Sequence, residues 1–141
     1  MLMPSELVVV GMRFANLPPV TSCTFVQCNG DALRATSLAL SDQFIAEVEA
    51  ACPDLHLATP RDPQVRGSQV SFRHPEGYAI MQALIAQGVV GDFRAPDIMR
   101  FGFTPLFIDA SDVSRAVGIL GDIMRDGTWD QAQFKTRAAV T

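Results

Sequence analysis

The chain has 141 residues, 48% of them hydrophobic and 18% charged, with a formal net charge of −4 and three cysteines. Such a length and apolar content suit one domain with its own core, and an acidic balance without any run of Lys or Arg argues against a nucleic-acid surface. No stretch reaches the ~20 apolar residues of a membrane span, and Leu7–Val10, preceded by Glu6, is too short for a secretory leader, so the expectation is a cytoplasmic domain with reduced thiols.

Residues 1–30 read as an irregular arm. Leu7-Val8-Val9-Val10 has the character of a buried strand, Leu17-Pro18-Pro19-Val20 cannot continue a helix or a central strand, and Cys28-Asn29-Gly30 is a turn. Cys23 and Cys28 are spaced like a ligand pair, but no second Cys or His pair stands at zinc spacing, so no metal is expected. Residues 31–141 form the expected folded domain. Asp31 is a candidate N-cap for a helix whose apolar face carries Leu33, Leu40, Phe44 and Val48 and which ends before Pro53.

Leu55–Ala58 and Ser68–Phe72 alternate like strands on either side of a proline-containing loop. Pro75 opens a second helix, Tyr78–Gln87, with Gly88 placed to end it. Two further strands follow, Val89–Arg94 and Ile98–Phe103, joined by the turn Ala95-Pro96-Asp97. Asp109 or Ser111 then caps a third helix with Val113, Val117, Leu120 and Met124 as its stripe and Gly127 as its stop, and a polar tail with a few apolar anchors runs from Trp129 to Thr141. Short turns between neighbouring strands favour an antiparallel sheet, and helices packed on one of its faces give a two-layer α+β sandwich.

Common catalytic patterns are missing. The sequence has no G-x-S-x-G elbow and no phosphate-binding G-x-x-x-x-G-K loop. His56 lies between Leu55 and Leu57 and reads as structural, and His74 reads as a polar cap on the helix after it. Lys135, the one lysine beside ten arginines, sits in the polar tail and reads as a solvated charge rather than a Schiff-base former. Arg100 stands out. It interrupts the apolar run Ile98-Met99-Arg100-Phe101-Gly102-Phe103, where a guanidinium costs several kcal/mol unless an anion meets it. Alternation puts Met99, Phe101 and Phe103 toward a core and Ile98, Arg100 and Gly102 on the other face. There Arg100 meets either a ligand carboxylate, with Gly102 opening the approach, or an internal partner such as Asp92 or Asp97.

The string Arg66-Gly67-Ser68-Gln69-Val70-Ser71-Phe72-Arg73-His74-Pro75-Glu76-Gly77 resembles bacterial kynureninases. So do Gly91-Asp92-Phe93-Arg94-Ala95-Pro96-Asp97-Ile98-Met99-Arg100-Phe101-Gly102-Phe103-Thr104-Pro105-Leu106, Asp31-Ala32-Leu33-Arg34-Ala35-Thr36-Ser37-Leu38 and the ending Arg137-Ala138-Ala139-Val140-Thr141. The resemblance covers about residues 31–141 in long ungapped strings. It implies the C-terminal small domain of a fold-type I pyridoxal-phosphate (PLP) enzyme of tryptophan catabolism, one that hydrolyses L-kynurenine to anthranilate and L-alanine. In such enzymes the arginine of the R-F-G-F-T-P string, here Arg100, binds the substrate α-carboxylate.

The family's cofactor lysine, phosphate-binding residues, pyridine-nitrogen aspartate and ring-stacking residue belong to its large domain, which has no counterpart in these 141 residues. The resemblance therefore implies a domain that is inactive by itself and carries no catalytic residue and no PLP of its own. Its expected ligand is L-kynurenine or another small carboxylate. A low charged fraction and a slightly positive mean hydropathy suggest a surface hidden against a partner, either a second copy or a separate large domain. The rival expectations are a stand-alone carboxylate-binding or dimerisation module and one half of a split enzyme.

Overall fold

A computed structural model describes residues 30–137. The expected strand Leu7–Val10, the pair Cys23 and Cys28, and nearly all of the expected N-terminal arm lie outside the described residues. The elements run α1 (Gly30–Ala51), β1 (His56–Leu57), β2 (Gln69–Arg73), α2 (Gly77–Ala86), β3 (Asp92–Arg94), β4 (Ile98–Gly102) and α3 (Ala110–Asp126), then a 3₁₀ turn (Thr128–Asp130) and a short α4 (Ala132–Lys135). The four strands form one antiparallel sheet in the order β1-β2-β4-β3, so the expected α+β class holds.

Period-two alternation decides which face is which. Val70 and Phe72 on β2 lie opposite Phe101 and Met99 on β4, and all four are buried. Phe44 of α1 packs its ring against Phe72, Phe101 and Phe103, with centroids 6.0, 5.0 and 5.2 Å away. α1 therefore lies over this face, while Gly77 at the start of α2 comes up against Met99 and Phe93. α3 adds Val113, Val117, Leu120 and Ile123 to the same core. Gln43 Nε2 on α1 donates to Ser114 Oγ and the Ala110 carbonyl on α3, each at 3.0 Å. Among the described residues no helix covers the opposite face, which carries His56, Ser71, Arg73, Asp92, Arg94, Ile98 and Arg100.

Local chemistry sets most element ends. Asp109 caps α3 by accepting from the N–H groups of Ser111 and Asp112, while Asp112 accepts in return from Asp109 N–H. Gly127 ends that helix in the left-handed conformation, φ 64°. α1 already includes Gly30, so Asp31 sits inside its first turn, where negative charge complements the unpaired N–H groups, rather than at the cap. The stripe on α3 runs through Ile123, and Met124 is only half-buried.

The third strand is shorter than the sequence suggested. Gly88, φ 85°, donates to the Ile85 carbonyl, and Val89 N–H donates to the Leu84 carbonyl at 2.9 Å. This pair of bonds is the Schellman closure of α2. It commits the Val89 N–H to the helix end, and pairing with β4 starts only at Asp92. Gly91 sits between the two elements with no room for a side chain. A Cβ there would lie 2.7 Å from both the Arg100 carbonyl oxygen and Met81 Cε. Gly91→Ala is expected to cost about 2 kcal/mol, because the carbonyl is fixed in the ladder and Met81 is fixed in the core. A denaturant midpoint within error of the wild-type value would contradict that packing.

Candidate functional site

Arg100 occupies the middle of β4 on the helix-free face. Its cross-strand neighbours are Asp92 on β3 and Ser71 on β2, so a carboxylate, a guanidinium and a hydroxyl form one row across three strands. Of the two local acids considered from sequence, Asp92 is the partner. Arg100 Nε donates to Asp92 Oδ2 at 3.0 Å, and Nη2 bonds the same oxygen. Asp97 instead offers its backbone carbonyl to His74 N–H at 3.0 Å. Arg94 Nε comes within 3.2 Å of the same Oδ2.

Both partners are half-buried, with 27% of the Arg100 side chain and 31% of the Asp92 side chain exposed. Burial opposes ionisation of Asp92, but the hydrogen bond and charge of Arg100, the charge of Arg94 and the Phe93 N–H outweigh it. The carboxyl is held below its usual range. Gly102 does not open this face as expected. It is buried, its backbone pairs with Gln69, and Arg100 and Asp92 share what exposure the row has. Arg100 has five N–H donors and Asp92 takes two, those of Nε and one from Nη2. One proton on Nη2 and both on Nη1 remain without a partner among the described residues, on the end of the fork that can grip a second carboxylate in bidentate fashion.

The other titratable candidates fall into structural places. His56 lies exposed in β1, opposite Arg73. His74 is not the cap of α2 that its sequence position suggested, since Glu76 holds that place with no side-chain cap bond; its Nδ1 instead takes the Glu76 N–H at 3.0 Å in the turn just before α2, and its ring meets Trp129 edge-on at 6.0 Å. Burial holds His74 below the usual histidine pKa, against the opposing pull of Asp54 and Glu76, with His56 adding slightly to the lowering. A base whose folded pKa is lowered stabilises the fold above its unfolded value of about 6.5 and loses that contribution as pH falls through the folded value. Stability is therefore expected to drop as pH falls below about 6.5 and Nδ1 is protonated. His74→Asn, which keeps an acceptor without titrating, should flatten that part of the stability–pH curve. An unchanged slope in the variant would remove His74 as its cause.

Lys135 lies on the surface. It pairs with Asp130, which raises its pKa by hydrogen bond and charge, and stands 5.5 Å over the Trp129 ring. PLP attachment needs a desolvated amine, and no lysine of this chain supplies one, so the described residues do not fit that cofactor. Among the described residues no cluster of His, Cys, Asp and Glu could hold a metal ion, and no helix is long and apolar enough to cross a membrane. A shallow depression lined by Glu49, Pro53, Leu55, His56, Leu57 and Arg61 lies at the β1 edge, two strands from Arg100, and its Arg61 is already paired with Glu49.

Sequence reasoning missed Arg66. Its side chain is almost wholly buried; it ties the loop before β2 to α1 through Asp42 and braces the loop itself by donating to the Arg61 carbonyl at 3.0 Å. Its own carbonyl accepts from Arg34 Nη2 at 2.6 Å. Nothing in the local pattern around Val65 and Gly67 marks that burial.

The kynureninase C-terminal domain profile matches residues 33–120. The chain is 53% identical over 133 residues to a kynureninase of Pseudomonas fluorescens, in an alignment covering 87% of this chain and 32% of that protein. It is 50% identical, with the same coverage, to kynureninases of Burkholderia mallei (strain SAVP1) and Burkholderia pseudomallei (strain K96243). The chain thus spans about a third of the length of these relatives. With a match over most of its described length, the chain belongs to the kynureninase C-terminal domain family.

Proposed function

We propose that this chain serves as the substrate-gripping C-terminal domain of a PLP-dependent kynureninase, with Arg100 taking the α-carboxylate of L-kynurenine. The observation that carries the reading is the guanidinium on the helix-free sheet face, held on one edge by Asp92 and open on the other. PLP would supply the electron sink for cleavage to anthranilate and L-alanine when bound by the remainder of such an enzyme. The residues of this chain orient the substrate and leave the chemistry elsewhere. Ser71 and Asp92 flank the carboxylate site across the sheet.

Leu106 and Phe107, 41% and 40% exposed in the turn between β4 and α3, supply an apolar edge for the rest of the enzyme, or a second subunit, to cover. On this reading the chain alone neither hydrolyses L-kynurenine nor holds PLP covalently. Titration calorimetry tests the carboxylate site. L-kynurenine should bind and kynuramine, which lacks the carboxylate, should not. Equal affinities for the two would overturn the assignment.

A further inference from the structure

Resting on that reading of the site, we propose that Asp92 is a positioning residue for Arg100. It holds the Nε side of the guanidinium so that the Nη1 end is presented to the substrate carboxylate, and it stays in place when that carboxylate binds. Three observations support this.

First, the contact is one-sided. Nε and Nη2 converge on the single oxygen Oδ2, whereas a carboxylate that fully occupied the guanidinium would spread over two oxygens. Second, Asp92 has a second anchor. Arg94 Nε approaches the same oxygen at 3.2 Å, so the carboxylate has a reason to remain on the sheet when Arg100 gains another anion. Third, the register is fixed. Asp92 stands directly across from Arg100, and the backbone at Gly91, one residue away, runs so close to the Arg100 carbonyl that a side chain there would clash. An arginine side chain on an open sheet face otherwise samples many rotamers, and ordering it at the moment of binding weakens affinity.

The rival role for Asp92 is that of an internal competitor, occupying the place the substrate carboxylate needs. The two roles predict opposite results. In Asp92→Asn a competitor's removal strengthens binding, whereas a positioner's removal weakens it. Removing a negative charge also strengthens long-range attraction for any anion, so the comparison belongs in about 0.5 M salt, where that attraction is screened and orientation is not.

The experiment uses the whole chain, labelled to show the arginine side-chain N–H signals by NMR, with L-kynurenine as probe. In the wild-type chain the Arg100 Nε–H signal should keep its carboxylate-bonded shift throughout the titration while the Nη signals move. Asp92→Asn should weaken L-kynurenine binding roughly fivefold, the cost of ordering one flexible side chain. An Arg100 Nε–H signal that moves to the free-arginine position on binding, or an Asp92→Asn variant that binds more tightly, overturns the positioning role and leaves the carboxylate site standing. No response of any Arg100 signal overturns the carboxylate site itself. The wild-type titration decides the matter even if the variant does not fold.

Discussion

Phe44→Ala is expected to destabilise the domain by about 4 kcal/mol, a large share of the roughly 5–15 kcal/mol that holds a domain of this size together. Phe44 is only 1% exposed and is the one ring of α1 in contact with Phe72, Phe101 and Phe103 at once. Truncation loses the transfer of the ring, leaves a void between helix and sheet, and removes three tilted or edge-on aromatic contacts. The void cannot close easily, because Phe72 and Phe101 are fixed by the β2–β4 register. Urea unfolding should show a much lower midpoint with an unchanged slope. Ile85→Ala, at a site 39% exposed, serves as the control and should cost less than about 1 kcal/mol. Similar losses in the two variants would mean that the helix–sheet core is not organised around Phe44.

Several features of this fold were legible because local chemistry and tertiary packing agree. α3 carries its own start and stop signals: of the two expected caps, Asp109 and Ser111, Asp109 acts, and Gly127 ends the helix as expected. β4 alternates cleanly, so the burial of Met99, Phe101 and Phe103 follows from period two. Other features depend on contacts distant in sequence. Ser37 and Ser41 are buried on α1, where a polar residue suggests an exposed face. Ser37 is tolerated because its hydroxyl donates to the Phe103 carbonyl at 2.8 Å, 66 residues away, and Ser41 because it donates to the Leu38 carbonyl of its own helix. The shortness of β3 follows from the closing bonds of α2, which take the Val89 N–H. The tail after Gly127 reads as polar with a few apolar anchors; Trp129 and Phe134 lean on the core, but the 3₁₀ turn and α4 that hold them there were not foreseen.

The site was half legible. An arginine in an apolar strand demands an anion, and sequence alone left a ligand and an internal acid as equal claimants. The structure shows Asp92 on one edge of Arg100. Its geometry leaves the other edge able to take a second anion, an outcome that a choice between the two claimants did not contain. Cross-strand register was the missing information: Asp92 lies eight residues from Arg100 in sequence, and the β3–β4 hairpin brings it directly opposite.

The role of Arg100 carries the second large effect. A charge-assisted contact to a substrate carboxylate, covered once substrate and the rest of the enzyme close over it, is worth about 3 kcal/mol when one partner is removed, or roughly a hundredfold in rate. Lys should not substitute well, since an ammonium cannot be held on one edge by Asp92 and grip a carboxylate with the other. The most direct measurement replaces the corresponding C-terminal third of the Pseudomonas fluorescens kynureninase with this chain and compares kcat/KM for L-kynurenine between the Arg100 and Arg100→Ala forms. The account predicts an active chimera that loses roughly a hundredfold on substitution while its fold, followed by unfolding midpoint, is kept. An Arg100→Ala chimera that hydrolyses L-kynurenine as fast as its parent would contradict it.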